Sequence, residues 1–498
     1  MRAFLSRYWQ PALSGILLGI TLLAQDFIPG AHLAIFVAYA PLWLFWLRCE
    51  RYRDVLLGGW LAQALLSIIA FNWIAHTVAE FGEMPWALAI PVFGLFAALA
   101  NLQIPLAGLI SAKLFPSRKF TVGWRLFAFV VAQGIGERIF PMLFDWHLGY
   151  AWFYLRLPGF QFADVIGFAG LGTVTLVING LIAYAIAVYP SSTLMKKDFS
   201  WARAVGLAIF LLAGVNALGW WREKELSAPD ATVNALVVQA NIGNRDKLRD
   251  DDPRYRGELV ARHLRLTEKG LTEARARGQR VDFAVWAENA FPDVITELGS
   301  VESHFQALQD FLVQEKLTLL TGGYGFSDSA RVTNAFFVIP PARSWRVASY
   351  NKTHLLAFGE YLPGAEIFPG LLDLLPAVAN FAPGNGPAVL RAGELLVGPQ
   401  ICYEGLFDDF SRRSANLGAE ILINLTNDSW YGAWQEPRQH LYLTLARAIE
   451  TRRPLLRATN TGISSAVLAN GKVLALSPID QAWAGVFEIA YRRRPGPT

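Results

Sequence analysis

Only two cysteines, Cys49 and Cys402, occur among the 498 residues, and the setting of the second is the most informative. Cys402 ends the run Leu395-Leu396-Val397-Gly398-Pro399-Gln400-Ile401 and is followed by Tyr403-Glu404-Gly405. An apolar run that stops at a thiol, with an acidic helix-compatible stretch behind it, reads as a strand-to-helix turn. Backbone N–H groups at such a turn point outward and are expected to lower the thiol's pKa. Two further groups stand at the ends of strand-like runs: Glu288 in Val285-Trp286-Ala287-Glu288-Asn289, and Lys352 in Tyr350-Asn351-Lys352-Thr353-His354. Singly, each is commonplace, since a lone cysteine after an apolar strand is usually a small buried hydrophobe. Brought together they would supply a nucleophile, a proton acceptor and a cation for developing negative charge, the parts of covalent acyl chemistry.

The elements that would position them lie between residues 231 and 491. Strands are expected at Thr232–Ile242, Phe283–Glu288, Leu317–Phe326, Asn334–Pro340, Leu395–Ile401, Glu420–Asn427, Leu455–Leu468 and Val473–Leu476. Helices are expected at Tyr255–Gly278, Val301–Lys316, Asp408–Leu417 and His440–Thr451. Strands alternating with helices indicate an α/β fold, with the strand order left open by periodicity. Ligands of open α/β sheets bind beyond the carboxyl ends of the strands, where Glu288, Lys352, Cys402 and Asn427-Asp428 all fall.

The first 225 residues read differently. Apolar runs near 11–28, 32–47, 55–78, 86–114, 122–144, 166–189 and 201–221 approach the ~20 residues that span a bilayer. Lysine and arginine alternate between their connections. Arg2 and Arg7, then Arg48, Arg51 and Arg53, then Lys113, Arg118 and Lys119, then Lys196, Lys197 and Arg203 mark one side, while the first and third connections hold none and the fifth, long and aromatic, is an exception with Arg138 and Arg156. By the positive-inside rule the N-terminus is cytoplasmic, and seven spans put everything after Trp221 outside. The aromatic Trp146, Tyr150, Trp152, Phe153 and Tyr154 suit a membrane interface, and Gly15-x-x-x-Gly19 suits close helix packing. The net charge is +4. No zinc spacing, phosphate loop or nucleic-acid module is found, so no metal, cofactor or nucleic-acid partner is expected. Cys49, in a cytoplasmic connection, cannot pair with Cys402.

Several longer segments resemble the apolipoprotein N-acyltransferase family, a membrane-anchored branch of the nitrilase superfamily. They are Asn351-Lys352-Thr353-His354 with Phe358-Gly359-Glu360-Tyr361-Leu362-Pro363, Ile401-Cys402-Tyr403-Glu404, and Asn427-Asp428-Ser429-Trp430-Tyr431-Gly432. To these are added Gln439-His440 through Arg447-Ala448-Ile449-Glu450 to Arg457–Ser464, and in the first half Leu148-Gly149-Tyr150, Gln161 and Ala163-Asp164. The resemblance implies a helical membrane bundle over 1–225 followed by an α/β nitrilase-like αββα sandwich over 226–498. Three departures stand out. The family's Trp-Pro-Glu-Ser is Trp286-Ala287-Glu288-Asn289, its Pro and Trp after the first strand are Gly243 and Leu248, and its eighth membrane helix has no counterpart after Arg492-Arg493-Arg494. A divergent paralogue lacking that helix is one reading of the last departure.

The resemblance implies Cys402 as nucleophile, Glu288 as general base and Lys352 at the oxyanion, with the Tyr403 N–H as a second donor. Glu360 would orient Lys352, and Tyr403 and Glu404 would line the pocket. The implied reaction moves a fatty acyl chain from a membrane phospholipid, through a thioester, to the N-terminal amine of a diacylglyceryl-cysteine in an apolipoprotein. It would take place at the outer face of the bacterial inner membrane. Ala365–Pro387, rich in Ile, Leu and Phe, would be a lid that guides acyl chains, with a core helix as the competing account. A tethered amidase or lipid hydrolase, an acyltransferase for another amine, and a transporter with a degenerate binding module are the alternatives. Intact Glu288, Lys352 and Cys402 weigh against the last.

Overall fold

Along Ala231–Gln239 (β1) successive side chains enter two different apolar cores, as the period of two in a strand requires. Val233, Ala235 and Val237 join one core with Val285, Phe336, Val397, Leu425 and Leu456. Leu236 and Val238 join another with Trp286, Phe305, Leu308 and Leu312. The first core mixes residues of two sheets; the second mixes sheet and helix. The result is a four-layer α-β-β-α sandwich, in which strands buried on both faces read as nearly continuous apolar runs.

The remaining strands are Phe283–Trp286 (β2), Thr318–Phe326 (β3), Val332–Ile339 (β4), Ala348–Asn351 (β5), Leu390–Ala392 (β6), Leu395–Ile401 (β7), Ile421–Thr426 (β8), Leu455–Thr459 (β9), Ser465–Val467 (β10), Val473–Leu476 (β11) and Trp483–Tyr491 (β12). They form two six-stranded sheets, ordered β12-β1-β2-β3-β4-β5 and β11-β10-β9-β8-β7-β6. Each has a parallel centre, β1-β2-β3 in one and β7-β8-β9 in the other, extended by antiparallel strands. The expected run Leu455–Leu468 is two antiparallel strands, β9 and β10, because the chain turns back between Thr459 and Ser465. The helix expected from His440 begins earlier, at Glu436, with Pro437 in its first turn.

This computed structural model describes residues 2–23, 30–82, 84–144, 146–189, 200–243, 253–342, 346–374, 378–494 and 496. Asp26, Lys196, Lys197, Leu248 and Leu375 lie outside the described residues. The chain divides into two compact units, Met1–Leu226 and Ser227–Thr498.

The first unit is helical. Among the described residues, five helical segments are long and apolar enough to cross a membrane: Ala31–Arg48, Tyr52–Ala70, Trp86–Leu114, Pro158–Val188 and Ser200–Lys224. The runs expected at 11–28 and 122–144 correspond to helices Arg2–Thr21 and Val122–Ile139, whose charged and polar residues make them less apolar than expected. Several of these groups are met within the unit. Arg7 pairs with Asp54 at 2.6 Å, Arg125 donates to the carbonyls of Trp46 and Leu47, and Gln133 donates to Glu137. Polar groups facing a bundle interior in this way are compatible with a membrane setting. The run expected at 55–78 breaks at Phe71-Asn72.

A Cβ on Gly15 would lie 2.5 Å from the Ala62 carbonyl oxygen, and one on Gly19 2.7 Å from Ile69 Cβ. The pair therefore lets helix Arg2–Thr21 close on Tyr52–Ala70, as small residues do. Trp146, Tyr150, Trp152, Phe153 and Tyr154 are all buried rather than placed at an interface. They stack within the unit, as in the rings of Tyr150 and Phe168 at 5.0 Å.

Candidate active site

β7 ends at Ile401, and the chain turns immediately into a short 3₁₀ helix, Cys402–Leu406. Cys402 sits at the corner with φ +51°, a left-handed conformation that costs a non-glycine residue energy and must be held from outside. Asn424, in the middle of β8, donates its side-chain N–H to the Cys402 carbonyl at 3.1 Å. Arg457, fully buried on β9, in turn donates to the Asn424 side-chain oxygen at 2.9 Å. Two polar residues inside otherwise apolar strands thus pin the Cys402 backbone.

Glu288 and Lys352 come from the other sheet. Glu288 follows β2, and its loop closes on β3 because Gly322 has no side chain: a Cβ there would lie 2.6 Å from the Glu288 Cα. The N–H of Phe291 donates to the Gly322 carbonyl, and the Gly322 N–H to that of Ala287. Asn289, at the family's serine position, has φ +52°, which asparagine tolerates better than most residues. Lys352 follows β5 and is 1% exposed. Its ammonium lies 3.3 Å from Glu288 Oε1 and 2.8 Å from the Glu360 carboxylate. Asn334, on β4, donates to Glu288 Oε1 at 2.7 Å and to Glu360 Oε1 at 2.8 Å. Sequence reasoning missed it. Its signal was an amide in the middle of the strand Val332-Thr333-Asn334-Ala335-Phe336.

Electrostatics link the two halves of this site. Burial alone would lower the Lys352 pKa, but Glu288 and Glu360 hold it well above the ordinary lysine range, so the lysine is charged. Burial, and then the Glu288 charge, push the Cys402 thiol up, against the opposing pull of Lys352 and a Thr426 hydrogen bond. The expectation of a thiol pKa lowered by the turn is therefore corrected. The resting group is a neutral thiol, because withdrawal from water outweighs the N–H dipoles.

Glu404 is buried and acts as a clamp rather than a pocket wall. One carboxylate oxygen accepts Tyr350 O–H at 2.6 Å and the N–H groups of Thr353 at 2.6 Å and His354 at 3.1 Å. The other accepts Ile401 N–H at 2.8 Å. It ties the Lys352 segment to the Cys402 turn. Burial pushes its pKa up to about 7, while Tyr350 and Ile401 draw it down. Replacing Glu404 by Gln turns one acceptor into a donor facing another donor. The variant should lose about 2 kcal/mol of stability, read as a lower thermal midpoint. Tyr403 is half-buried, its ring edge-on to Phe407 at 4.9 Å.

Asp428, just past β8, carries a second buried cluster. His440 Nδ1 lies 3.0 Å from Asp428 and 3.3 Å from Glu436, and Arg457 bonds Asp428 at 2.8 Å. Asp428, Glu436 and His440 have the spacing to hold a cation, but Arg457 already occupies the Asp428 carboxylate. Against the upward push of burial, Arg457 and His440 hold Asp428 at about 2, while burial and Asp428 push Glu436 up to about 7. This is a charge-compensated ion cluster of the protein's own, fixing the segment that leads to Tyr431.

Among the described residues of the apolar segment 365–387, Leu371–Leu374 alone is helical, and Ile367 and Phe368 are 75% and 66% exposed, which does not fit a core helix over that described part.

The sequence matches two family models: the N-terminal domain of apolipoprotein N-acyltransferase over residues 14–181, and carbon-nitrogen hydrolase over 237–482. The apolipoprotein N-acyltransferase of Bdellovibrio bacteriovorus is 40% identical over 493 residues, covering 96% of this chain and 87% of its own. Those of Geobacter metallireducens and Caulobacter vibrioides are 30% and 31% identical, covering 95% and 88% of this chain. The chain belongs to the apolipoprotein N-acyltransferase family. It is thus a membrane-associated acyltransferase of the carbon-nitrogen hydrolase superfamily, and the sandwich described above is the nitrilase-like fold.

Proposed function

We propose that the enzyme N-acylates apolipoproteins by a two-step transfer through Cys402. The observation that carries the role assignment is the buried Glu288–Lys352–Glu360 array, brought from one sheet to a thiol on the other, whose charges all act on that thiol. The donor is a membrane phospholipid. Glu288 takes the thiol proton as the sulfur attacks the ester carbonyl, the C–O bond breaks, and Glu288 hands the proton to the departing lysophospholipid oxygen. The acceptor, the free N-terminal amine of a diacylglyceryl-cysteine, then attacks the thioester. Glu288 accepts its proton and returns it to the sulfur. Lys352, held in place by Glu360 and Asn334, carries the negative charge on the carbonyl oxygen in both steps, with the Tyr403 N–H as second donor.

The exposed apolar tip at Ile367 and Phe368 favours a lipid donor and a loop that shields the thioester from water. The competing hydrolase reading has no observation of its own in its favour. A discriminating experiment offers vesicle phospholipid together with a diacylglyceryl peptide. The free-amine peptide should become the amide, the N-acetylated one should stay unchanged, and lysophospholipid should appear in step with product. Steady release of fatty acid that ignores the peptide would favour the hydrolase.

The alternation of basic residues between connections, read with seven spans, supports a position for residues 226–498 on the outer side of the bacterial inner membrane. A reporter that fluoresces only in the cytoplasm should stay dark when fused after Thr498 and shine when inserted in the Arg48–Arg53 connection. The reverse pattern would overturn the orientation.

A further inference from the structure

Both limbs of the apolar loop are fastened beside Glu360. The main-chain oxygen of Glu360 accepts the Phe381 N–H at 2.9 Å, and that of Gly359 accepts the Ala379 N–H at 3.1 Å. The chain then continues as a strap: Ala382 N–H donates to the Val332 carbonyl at 2.9 Å and Gly384 N–H to the Lys352 carbonyl at 2.7 Å. The loop's return limb is thus bonded to the main chain of two residues whose side chains or neighbours form the oxyanion apparatus, Glu360 and Lys352. The third anchor is the β3–β4 hairpin. From its tip the Arg331 guanidinium donates to the Asn380 carbonyl at 3.2 Å, the Asn380 side-chain oxygen at 3.3 Å and the Phe381 carbonyl at 3.4 Å. Asn380 holds φ +50°, a strained turn that such bonds help to maintain. The Phe381 ring lies 6.0 Å from that of Tyr324 on the same hairpin.

We infer that Arg331 is the latch of this loop: a positioning residue that sets how long acyl-Cys402 survives exposure to water. The inference rests on the reading that the loop shields the thioester. The competing step is hydrolysis. A water oxygen adds to the thioester carbonyl carbon, the C–S bond breaks, the sulfur leaves as thiolate and takes a proton from the water, and fatty acid departs. Arg331 touches neither substrate nor Cys402. It acts by holding the return limb against the hairpin: one terminal guanidinium nitrogen faces three acceptors, and a lysine's shorter stem would carry its ammonium less far toward them.

The test loads the full-length enzyme with phospholipid in detergent micelles, removes the phospholipid, and follows acyl-Cys402 by intact mass without acceptor. The latch account expects the thioester of Arg331→Ala to decay roughly fivefold faster than wild type, the effect of losing about 1 kcal/mol of exposed hydrogen bonding. Fatty acid should be the product, Arg331→Lys should fall between, and discharge by a free-amine peptide should change less than twofold. Hydrogen exchange at Phe381 and Ala382 should quicken in Arg331→Ala. A companion variant, Ile367→Ser with Phe368→Ser, tests the shield itself. If that variant leaks while Arg331→Ala keeps its thioester and its exchange protection, the latch is wrong and the shield stands. If neither leaks, the shielding loop is wrong and the latch falls with it.

Discussion

Cys402→Ala should leave no turnover above background, a loss on the order of 10⁴-fold or more. Cys402→Ser should lose nearly as much, because a serine hydroxyl at this buried corner is a far weaker nucleophile without a stronger base. Cys49→Ser should match wild type, since Cys49 lies in the other compact unit, outside the catalytic domain. Lipid-to-peptide transfer measured side by side checks all three. The same thiol has a testable pH signature. Burial and the Glu288 charge hold its pKa above the ordinary cysteine range, so the thiolate fraction is small at neutral pH and grows as pH rises. Alkylation of Cys402 by iodoacetamide should keep climbing through pH 9. A plateau near neutrality would show a thiolate already formed, and would make Glu288 unnecessary as its base.

Lys352→Ala should lose about 10²–10³-fold in turnover through the missing oxyanion charge. It should also destabilise the protein by about 3–5 kcal/mol, because Glu288 and Glu360 would remain buried without their shared cation. The two effects separate in Lys352→Arg, which keeps the charge but not the geometry: stability should largely return while turnover does not. Glu288→Gln should lose about 10²–10⁴-fold as a missing proton acceptor, with a smaller effect on stability, since one of two carboxylates still faces Lys352. Wild-type turnover in either Lys352→Ala or Glu288→Gln would remove that residue from the proposed mechanism.

Of the proposed catalytic residues, Glu288 and Cys402 were legible because each ends an apolar run, and a strand's period and its abrupt end are local properties of sequence; Lys352, behind the short β5, was legible through the segment Asn351-Lys352-Thr353-His354. The residues that hold them were harder to see. Asn334, Asn424 and Arg457 are polar side chains inside strands, and their roles come from bonds across the sheet to residues 20 to 50 positions away in sequence. No local pattern shows which acceptor an amide in a strand will find. The short strands β5 and β6 were missed because three or four residues carry no periodicity, and β12 because its alternation is irregular and its partner β1 lies some 250 residues earlier. Glu404 illustrates the opposite error. Beside Cys402 in sequence, it was read as a pocket residue, yet its carboxylate is turned inward to bind Ile401 and the Lys352 segment. Of the seven apolar runs, five are long and apolar enough to cross a membrane among the described residues; the run 122–144 carries Arg125 and Glu137, whose bonds inside the bundle no hydropathy pattern shows.

The central claim, an acyl group passed through Cys402, is tested most directly by the mass of the enzyme itself. Exposed to phospholipid alone, the wild-type protein should gain one fatty acyl mass, mapped to the peptide bearing Cys402 and removed by hydroxylamine. Lysophospholipid should appear in equal amount. Adding a diacylglyceryl peptide with a free amine should erase the added mass and move it onto the peptide. Transfer to the peptide by an enzyme that never carries the acyl mass, or an acyl mass on Cys402 that the amine leaves untouched, would contradict the account.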